Sequence, residues 1–284
     1  MTTAASPACI VCGGAESAGL YEGLLQCAAC GYVFADVRLS DAEFHDLYKK
    51  GYFFGEEYQD YLKDKETLQK NFRLRLDELA PFLDPARHKR LFEIGCAYGF
   101  FLDAARPRFE RVSGMDVAED GVAHARSLGL DAASGDFLTR DFGSEKFDVV
   151  TMWDTIEHLK SPHLFLEKAA GLLEKGGLVA ITTGDIESLN ARVQKDKWRL
   201  IHPPTHAHYF STRTLSKLLD RLGFEVVSAG HCGFYRSVDN AAYNIFTLRQ
   251  KRPWIYDLIA KSGLGRLDFY LNLYDIMYVI ARKK

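Results

Sequence analysis

No stretch of this 284-residue chain approaches the roughly twenty consecutive apolar residues that cross a bilayer as a helix. The first seven residues lack the charged and apolar regions of a secretory signal, so the cytoplasm is the expected compartment. A dominant charge is missing as well: 36 basic residues stand against 38 acidic ones, and the formal net charge is −2. Broad electrostatic binding to nucleic acid is therefore not expected, because it needs a basic excess. The chain does have a 47% hydrophobic composition. That supports a sizeable core, over a length that leaves room for a small module beside one ordinary domain.

The G-x-G-x-x-G cradle of dinucleotide-binding folds is also lacking. Residues 90–99 read Arg-Leu-Phe-Glu-Ile-Gly-Cys-Ala-Tyr-Gly, an apolar strand that runs into an acid and a Gly95-x-x-x-Gly99 loop. The loop opens onto a helical stretch from Phe100 that stops at Pro107. Open α/β sheets bind ligands at this place. Glu93, just ahead of the loop, would oppose a diphosphate, so a positively charged cofactor fits better.

Further elements follow in order. A second strand, 111–114, leads to Asp116, placed to accept both ribose hydroxyls of a nucleoside. Gly135-Asp136-Phe137 follows a third short strand, and a fourth, 146–152, ends in Trp153-Asp-Thr-Ile-Glu-His-Leu159. Ser161-Pro162 reads as a helix start with Ser161 as the cap, and the helix 164–173 gives way to Gly176-Gly177 and a strand at 178–182.

The run Glu93-Ile-Gly95-Cys-Ala97-Tyr-Gly99 resembles the first motif of the class I S-adenosylmethionine-dependent methyltransferases, acid-x-Gly-x-Gly-x-Gly, with Ala97 in place of the middle glycine. The resemblance implies an α/β fold, a seven-stranded doubly wound, Rossmann-like sheet, with S-adenosylmethionine as cofactor. It also implies a cofactor-binding set of Glu93, Gly95, Ala97, Gly99, Asp116, Asp136, Phe137 and Trp153, in which Asp136 and the Phe137 backbone meet the adenine. Taken singly, each of these acids also reads as a helix cap or turn residue.

Four of the six cysteines form two pairs, Cys9-x-x-Cys12 and Cys27-x-x-Cys30, each followed by a glycine, Gly13 or Gly31, that allows a tight turn. Two such pairs suit tetrahedral zinc in a ribbon, and four cysteine ligands leave no open position, so the zinc is expected to be structural. Two disulfides in an oxidising compartment are the competing reading. Cys96 and Cys232 read as small apolar filler. The expected organisation is a zinc ribbon over 1–40, a helical connector or lid over 41–85, and a methyltransferase domain over 86–284 with an insertion at about 230–274. The connector carries Tyr48, Tyr52, Phe53, Phe54, Tyr58 and Tyr61, then helical apolar spacing over 68–82.

Methyl transfer needs an in-line acceptor and removal of its proton, so a base is sought near the end of the fourth strand and in facing loops. Asp154-x-x-Glu157-His158 and His202-Pro-Pro-Thr-His206-Ala-His208 qualify. Asp154, Glu157, His158, His206 and His208 are the expected acceptor-side residues, with one histidine as general base. Glu157 and His158 also read as loop-orienting hydrogen-bond partners. A third reading is a divalent metal site. The pattern is similar to that of ubiquinone-type O-methyltransferases and small-RNA 3′-end 2′-O-methyltransferases, with Asp154 where those families carry Glu.

Ser211 is placed to cap a helix whose Leu215, Leu218, Leu219 and Leu222 share a face, ended by Gly223 before a strand at 224–227. The insertion mixes Tyr243, Phe246, Trp254 and Tyr256 with Arg249, Lys251 and Arg252 before a last strand at 276–281. It reads as an amphipathic helix packed on the sheet, with an acceptor wall or a membrane-surface rest for a lipid-linked acceptor as alternatives. Taken whole, the chain resembles bacterial sugar and secondary-metabolite methyltransferases with an N-terminal four-cysteine motif. The sugar C-methyltransferases among them carry a further C-terminal domain, so its absence leads to the expectation of an oxygen acceptor in a small molecule or glycan precursor. A zinc-ribbon RNA-binding or RNA-modifying protein, and a non-catalytic partner that keeps the cofactor fold, are the rivals.

Overall fold

The computed structural model describes residues 8–37, 39, 40, 43, 44, 47 and 62–284. The connector aromatics Tyr48, Tyr52, Phe53, Phe54, Tyr58 and Tyr61 lie outside the described residues. The chain begins with three short strands, β1 (Ser17–Tyr21), β2 (Leu24–Cys27) and β3 (Val33–Ala35), paired antiparallel in that order. Helix α1 (Lys65–Leu79) follows and ends in a 3-10 turn at Ala80–Phe82.

The main domain then alternates strand and helix: β4 (Arg90–Ile94), α2 (Phe100–Ala105), β5 (Arg111–Asp116), α3 (Glu119–Ser127), β6 (Asp131–Ser134), β7 (Phe147–Trp153), α4 (Pro162–Leu172) and β8 (Leu173–Gly184). These five strands pair in parallel. Every residue of β7 is buried, as a strand covered by helices on both faces requires. Ser161 stands at the N-cap of α4, but its side chain accepts no capping bond, contrary to expectation. The turn geometry is instead supplied by Pro162, whose fixed φ suits a first helical position.

After α5 (Leu189–Gln194) and the two-residue strand β9 (His208–Tyr209) comes α6 (Thr212–Arg221). Ser211 accepts from the Thr214 amide while the Thr214 hydroxyl accepts from the Ser211 amide, a reciprocal cap. Leu215, Leu218 and Leu219 are fully buried. β10 (Phe224–His231) and β13 (Ile276–Lys283) complete a seven-stranded sheet of order β10-β13-β8-β7-β4-β5-β6, in which β13 runs antiparallel to both neighbours. The doubly wound sheet thus reverses its strand order next to β4, which puts the loop after β4 in the crevice.

Between β10 and β13 the insertion forms its own two-stranded sheet from β11 (Phe234–Ser237) and β12 (Asp268–Leu271), which enclose α7 (Val238–Ala242), a π-helical stretch Tyr243–Arg249 and α8 (Pro253–Ser262). The expectation that an amphipathic helix here packs on the main sheet is corrected. None of the residues of α8 is buried, and the helix leans on the other insert helices. Polar contacts tie the insert to α1 instead. Asn71 exchanges bonds with the Tyr235 backbone, Ser237 donates to Asp64, Thr67 donates to Asp268 and Lys63 pairs with Asp239.

The amino-terminal strands are part of the same body. Val11 and Tyr32 are buried in the hydrophobic cluster that contains Phe210 and Leu215. β3 pairs with β9, Arg213 donates to the Cys30 carbonyl, and Arg221 donates to the Ile10 carbonyl.

Candidate active site

β4 delivers the loop 95–99 to one end of a cavity of about 760 Å³. Gly95 and Gly99 adopt φ of +81° and +76°, and side chains there would collide with Thr155 and with Leu130 and Ala125. Ala97 sits between them at φ +42°, a left-handed conformation in the place where the resembled motif has glycine. Asp116, at the end of β5, accepts the Ala97 amide on one oxygen at 2.8 Å and the Ala118 amide on the other at 2.8 Å. Burial raises its pKa against those donors. Glu93 lies entirely in the interior; burial first, then the charge of Asp116, holds its carboxyl well above the ordinary value, and its Oε2 has no hydrogen-bond partner. A half-buried Asp116 on the cavity with the buried Glu93 behind it suits a cationic ligand, as the sulfonium and ammonium of S-adenosylmethionine would be.

Asp136 and Phe137 line the same cavity. One Asp136 oxygen accepts the Leu138 amide at 2.9 Å, and the Phe137 ring is buried among Phe92, Phe142 and Phe165. Trp153 contributes a wall, stacked on Tyr278 and edge-on to Phe101. Of the expected cofactor set, Gly95, Ala97, Asp116, Asp136, Phe137 and Trp153 line the cavity; Glu93 and Gly99 stand behind it.

The acceptor-side candidates divide. Asp154, Glu157, His158 and His206 line the cavity, and ligand atoms of Glu157, His158 and His206 lie within 4.8 Å of one another. Asp154 follows β7 at φ +47°, its amide donating to the Thr182 hydroxyl, and a 3-10 turn at Ile156–His158 presents the next two. His158 donates Nδ1–H to the Thr205 carbonyl at 2.9 Å, and His206 donates Nδ1–H to the Leu200 carbonyl at 2.9 Å. A carbonyl can only accept, so both neutral rings present Nε2 as the lone-pair nitrogen. Burial lowers the His158 pKa to about 4, and burial with the neighbouring histidines holds that of His206 well below its ordinary value. Glu157 is pushed up to about 8 by burial and by Asp154, and its Oε2 has no hydrogen-bond partner. A carboxylate and two imidazoles with ligand atoms this close fit a divalent cation with mixed nitrogen and oxygen ligands.

His208 is not brought to the cavity. Its Nδ1 meets the Tyr32 hydroxyl, and its backbone pairs with β3. His206 precedes the strand, which covers only His208 and Tyr209, so the two-residue period that would put both histidines on one face does not reach it. Sequence reasoning missed Arg75, Arg199 and Arg236, which also line the cavity, and Asp275. Asp275 is buried and accepts from Trp198, Asn190 and Arg199, so it anchors the segment leading to His206. A lone acid outside any motif gives no signal in one sequence.

At the far end of the chain fold, the sulfurs of Cys9 and Cys30 lie 3.6 Å apart, as do those of Cys12 and Cys27, and all four lie within 4.8 Å of one another. Tetrahedral zinc with Zn–S near 2.3 Å would set such edges at about 3.8 Å, whereas a disulfide needs about 2.05 Å. Burial opposes ionisation at Cys27, but the Cys30 and Ala29 amides and the neighbouring thiols bring it down to about 7, so one thiolate is readily formed.

Residues 65–229 match the family of methyltransferase domains. The chain belongs to the methyltransferase-domain family. Its seven-stranded sheet and glycine loop are those of the class I S-adenosylmethionine-dependent members. A ubiquinone biosynthesis O-methyltransferase of Glaesserella parasuis is 29% identical over 106 residues, which are 34% of this chain and 45% of that protein. A second, from Paracidovorax citrulli, is 28% identical over 109 residues, 36% of this chain and 46% of that protein, so the chain spans a little under half the length of these relatives. Among solved structures, the magnesium protoporphyrin IX methyltransferase of Synechocystis, with bound S-adenosylhomocysteine, shares the fold at a TM-score of 0.51 and 15% identity, over 82% of this chain and 91% of that one.

Proposed function

We propose that this methyltransferase-family protein moves the methyl group of S-adenosylmethionine to an oxygen of a small-molecule or glycan-precursor acceptor, with a divalent cation held by Glu157, His158 and His206. The observation that carries the reading is the presence of these three side chains, with Asp154, in the cavity that also receives the 95–99 loop. Asp116 would hold the nucleoside, and Glu93 would oppose the cofactor's positive charge from behind the loop. When bound, a divalent cation would polarise an acceptor hydroxyl and lower its pKa. The histidine that was expected to take the proton is assigned a ligand role here, because both imidazoles spend Nδ1–H on backbone carbonyls and a ring nitrogen of each lies within 4.8 Å of a Glu157 oxygen. The buried, apolar walls around Trp153, Leu159 and Phe137 keep water from competing for the methyl group. The four cysteines are assigned one structural zinc.

Titration of Mn²⁺ into the zinc-loaded protein with S-adenosylhomocysteine bound, followed by electron paramagnetic resonance, tests the ligand set without needing the acceptor. One saturable Mn²⁺ per chain is expected, and Glu157→Gln should lose it while still binding S-adenosylhomocysteine. Equal Mn²⁺ binding by the variant would return His158 and His206 to proton transfer or to loop packing.

A further inference from the structure

The cavity is divided by charge. Acids cluster where the strands of the main sheet end, at Asp116, Asp136, Asp154 and Glu157, whereas arginines come from α1, from the segment before His206 and from the insert: Arg75, Arg199, Arg236 and Arg249. The guanidinium groups of Arg199 and Arg236 both lie over the ring of Phe234, at 5.8 and 5.4 Å from its centroid. Two like charges gathered on one ring need a reason.

Part of that charge is already matched. Arg199 donates Nη2–H to Asp275 at 2.8 Å, and Arg75 donates to the Gly233 carbonyl at 3.0 Å and stands 3.5 Å from Glu78. One buried nitrogen, Nε of Arg199, nevertheless lacks a hydrogen-bond acceptor, and Arg199 lines the cavity. A buried donor without an acceptor is costly, and a charged one more so. Asp64, the one acid on the insert side among the described lining residues, already accepts from Ser237 and Asn240.

We propose that the acceptor carries an oxyanion, a phosphate or a carboxylate, which Arg199 and Arg236 hold against the insert so that a hydroxyl of the same molecule reaches Glu157 and the cofactor's methyl group. This rests on the proposed methyl transfer for the placement of acceptor and cofactor. The arginine fork suits both anions, since paired N–H groups match paired oxygens. The insert is then the specificity element.

The test is calorimetric titration of inorganic pyrophosphate and, separately, of succinate into the zinc-loaded protein with S-adenosylhomocysteine bound. Saturable binding of one of them is expected, which also tells phosphate from carboxylate. The Arg236→Gln/Arg249→Gln variant should bind it at least about tenfold more weakly, Arg236→Lys by less, and both should bind S-adenosylhomocysteine as the parent does. No saturable binding of either anion below about 10 mM, or equal binding by the double variant, would overturn the inference and leave the methyl-transfer reading standing. Failure of the parent to bind S-adenosylhomocysteine would overturn both.

A separate observation concerns the outer face of the insert. Among the described residues, nine of the fourteen exposed large hydrophobics fall between Ile245 and Tyr274, with Trp254 and Leu258 on α8 both 60% exposed. The same stretch, residues 245–274, holds five bases, of which Arg249 lines the cavity, and two acids in a chain whose net charge is −2. An exposed Trp and Leu set among bases complements an anionic lipid surface rather than a neutral protein groove. We infer that this face rests on the anionic surface of a bilayer. Cosedimentation with phosphatidylcholine vesicles that contain phosphatidylglycerol should retain the protein, and plain phosphatidylcholine vesicles or Trp254→Ser/Leu258→Ser should release it. Failure to sediment with the anionic vesicles, or a concentration-dependent dimer that shields Trp254 from quenchers, would overturn the assignment.

Discussion

Glu93 and Ala97 show how the cofactor loop departs from what stability alone would select. Folding raises the Glu93 pKa, so over a range above the ordinary value of 4.5 the folded chain holds a proton that the unfolded chain has released. Stability from this group is therefore greatest below that value and falls as the pH rises toward the folded pKa. Glu93→Gln removes the slope. Urea denaturation of the cofactor-free protein should show the variant more stable than the parent at about pH 8 and no more stable at about pH 4, and calorimetry should show weaker S-adenosylhomocysteine binding. A variant as pH-dependent as its parent would show that folding does not raise the Glu93 pKa. Ala97 at φ +42° carries the cost of a left-handed conformation for a residue with a Cβ. Ala97→Gly should therefore raise stability by about 0.5 to 1 kcal/mol in the same assay, the left-handed cost less the added freedom of glycine in the unfolded chain. A loss of stability would mean that the alanine methyl packs more than it strains.

At the scale of elements, the amino-terminal strands and the acceptor loop are one continuous ladder. The Ala35 amide donates to the Ala207 carbonyl at 2.9 Å, and the Ala207 amide donates to the Glu157 carbonyl at 2.9 Å. The Tyr32 hydroxyl meets His208 beside it. A metal held by Cys9, Cys12, Cys27 and Cys30 would thus brace the backbone that carries Glu157 and His206. Hydrogen exchange after zinc removal by a chelator should lose protection in 24–35 and in 206–210 together, while β4 and β7 keep theirs. Protection retained in 206–210 would separate the ribbon from the site. This coupling was not legible in the sequence. The Gly95 and Gly99 turns, the order of the strands, the paired cysteines and the reciprocal cap at Ser211 all rest on local spacing, which one sequence records. The β3–β9 pair joins two residues at one end of the chain to two more than 170 positions later, with no periodicity to announce it. For the same reason His208 looked equivalent to His206, and Asp275 and the cavity arginines went unnoticed. The insert helix α8 has apolar spacing, but its partner surface is not the sheet, and spacing cannot name a partner.

Across the whole molecule, the near-neutral charge of the chain conceals a sorted one. Among the described residues that line the cavity, Asp116, Asp136, Asp154 and Glu157 stand at strand ends of the main sheet and the arginines on the insert, α1 and the segment before His206, so a cationic cofactor and an anionic acceptor would enter from opposite sides of one cavity. All of this depends on the cavity being the cofactor's. The most direct measurement is calorimetric titration of the zinc-loaded protein with S-adenosylhomocysteine, alongside Asp116→Ala. Binding of one molecule per chain at micromolar affinity is expected, weakened in the variant by about 1.5 to 3 kcal/mol, the range for hydrogen bonds to a charged group. No binding to the folded, zinc-replete protein, or equal binding by the Asp116 variant, would contradict it.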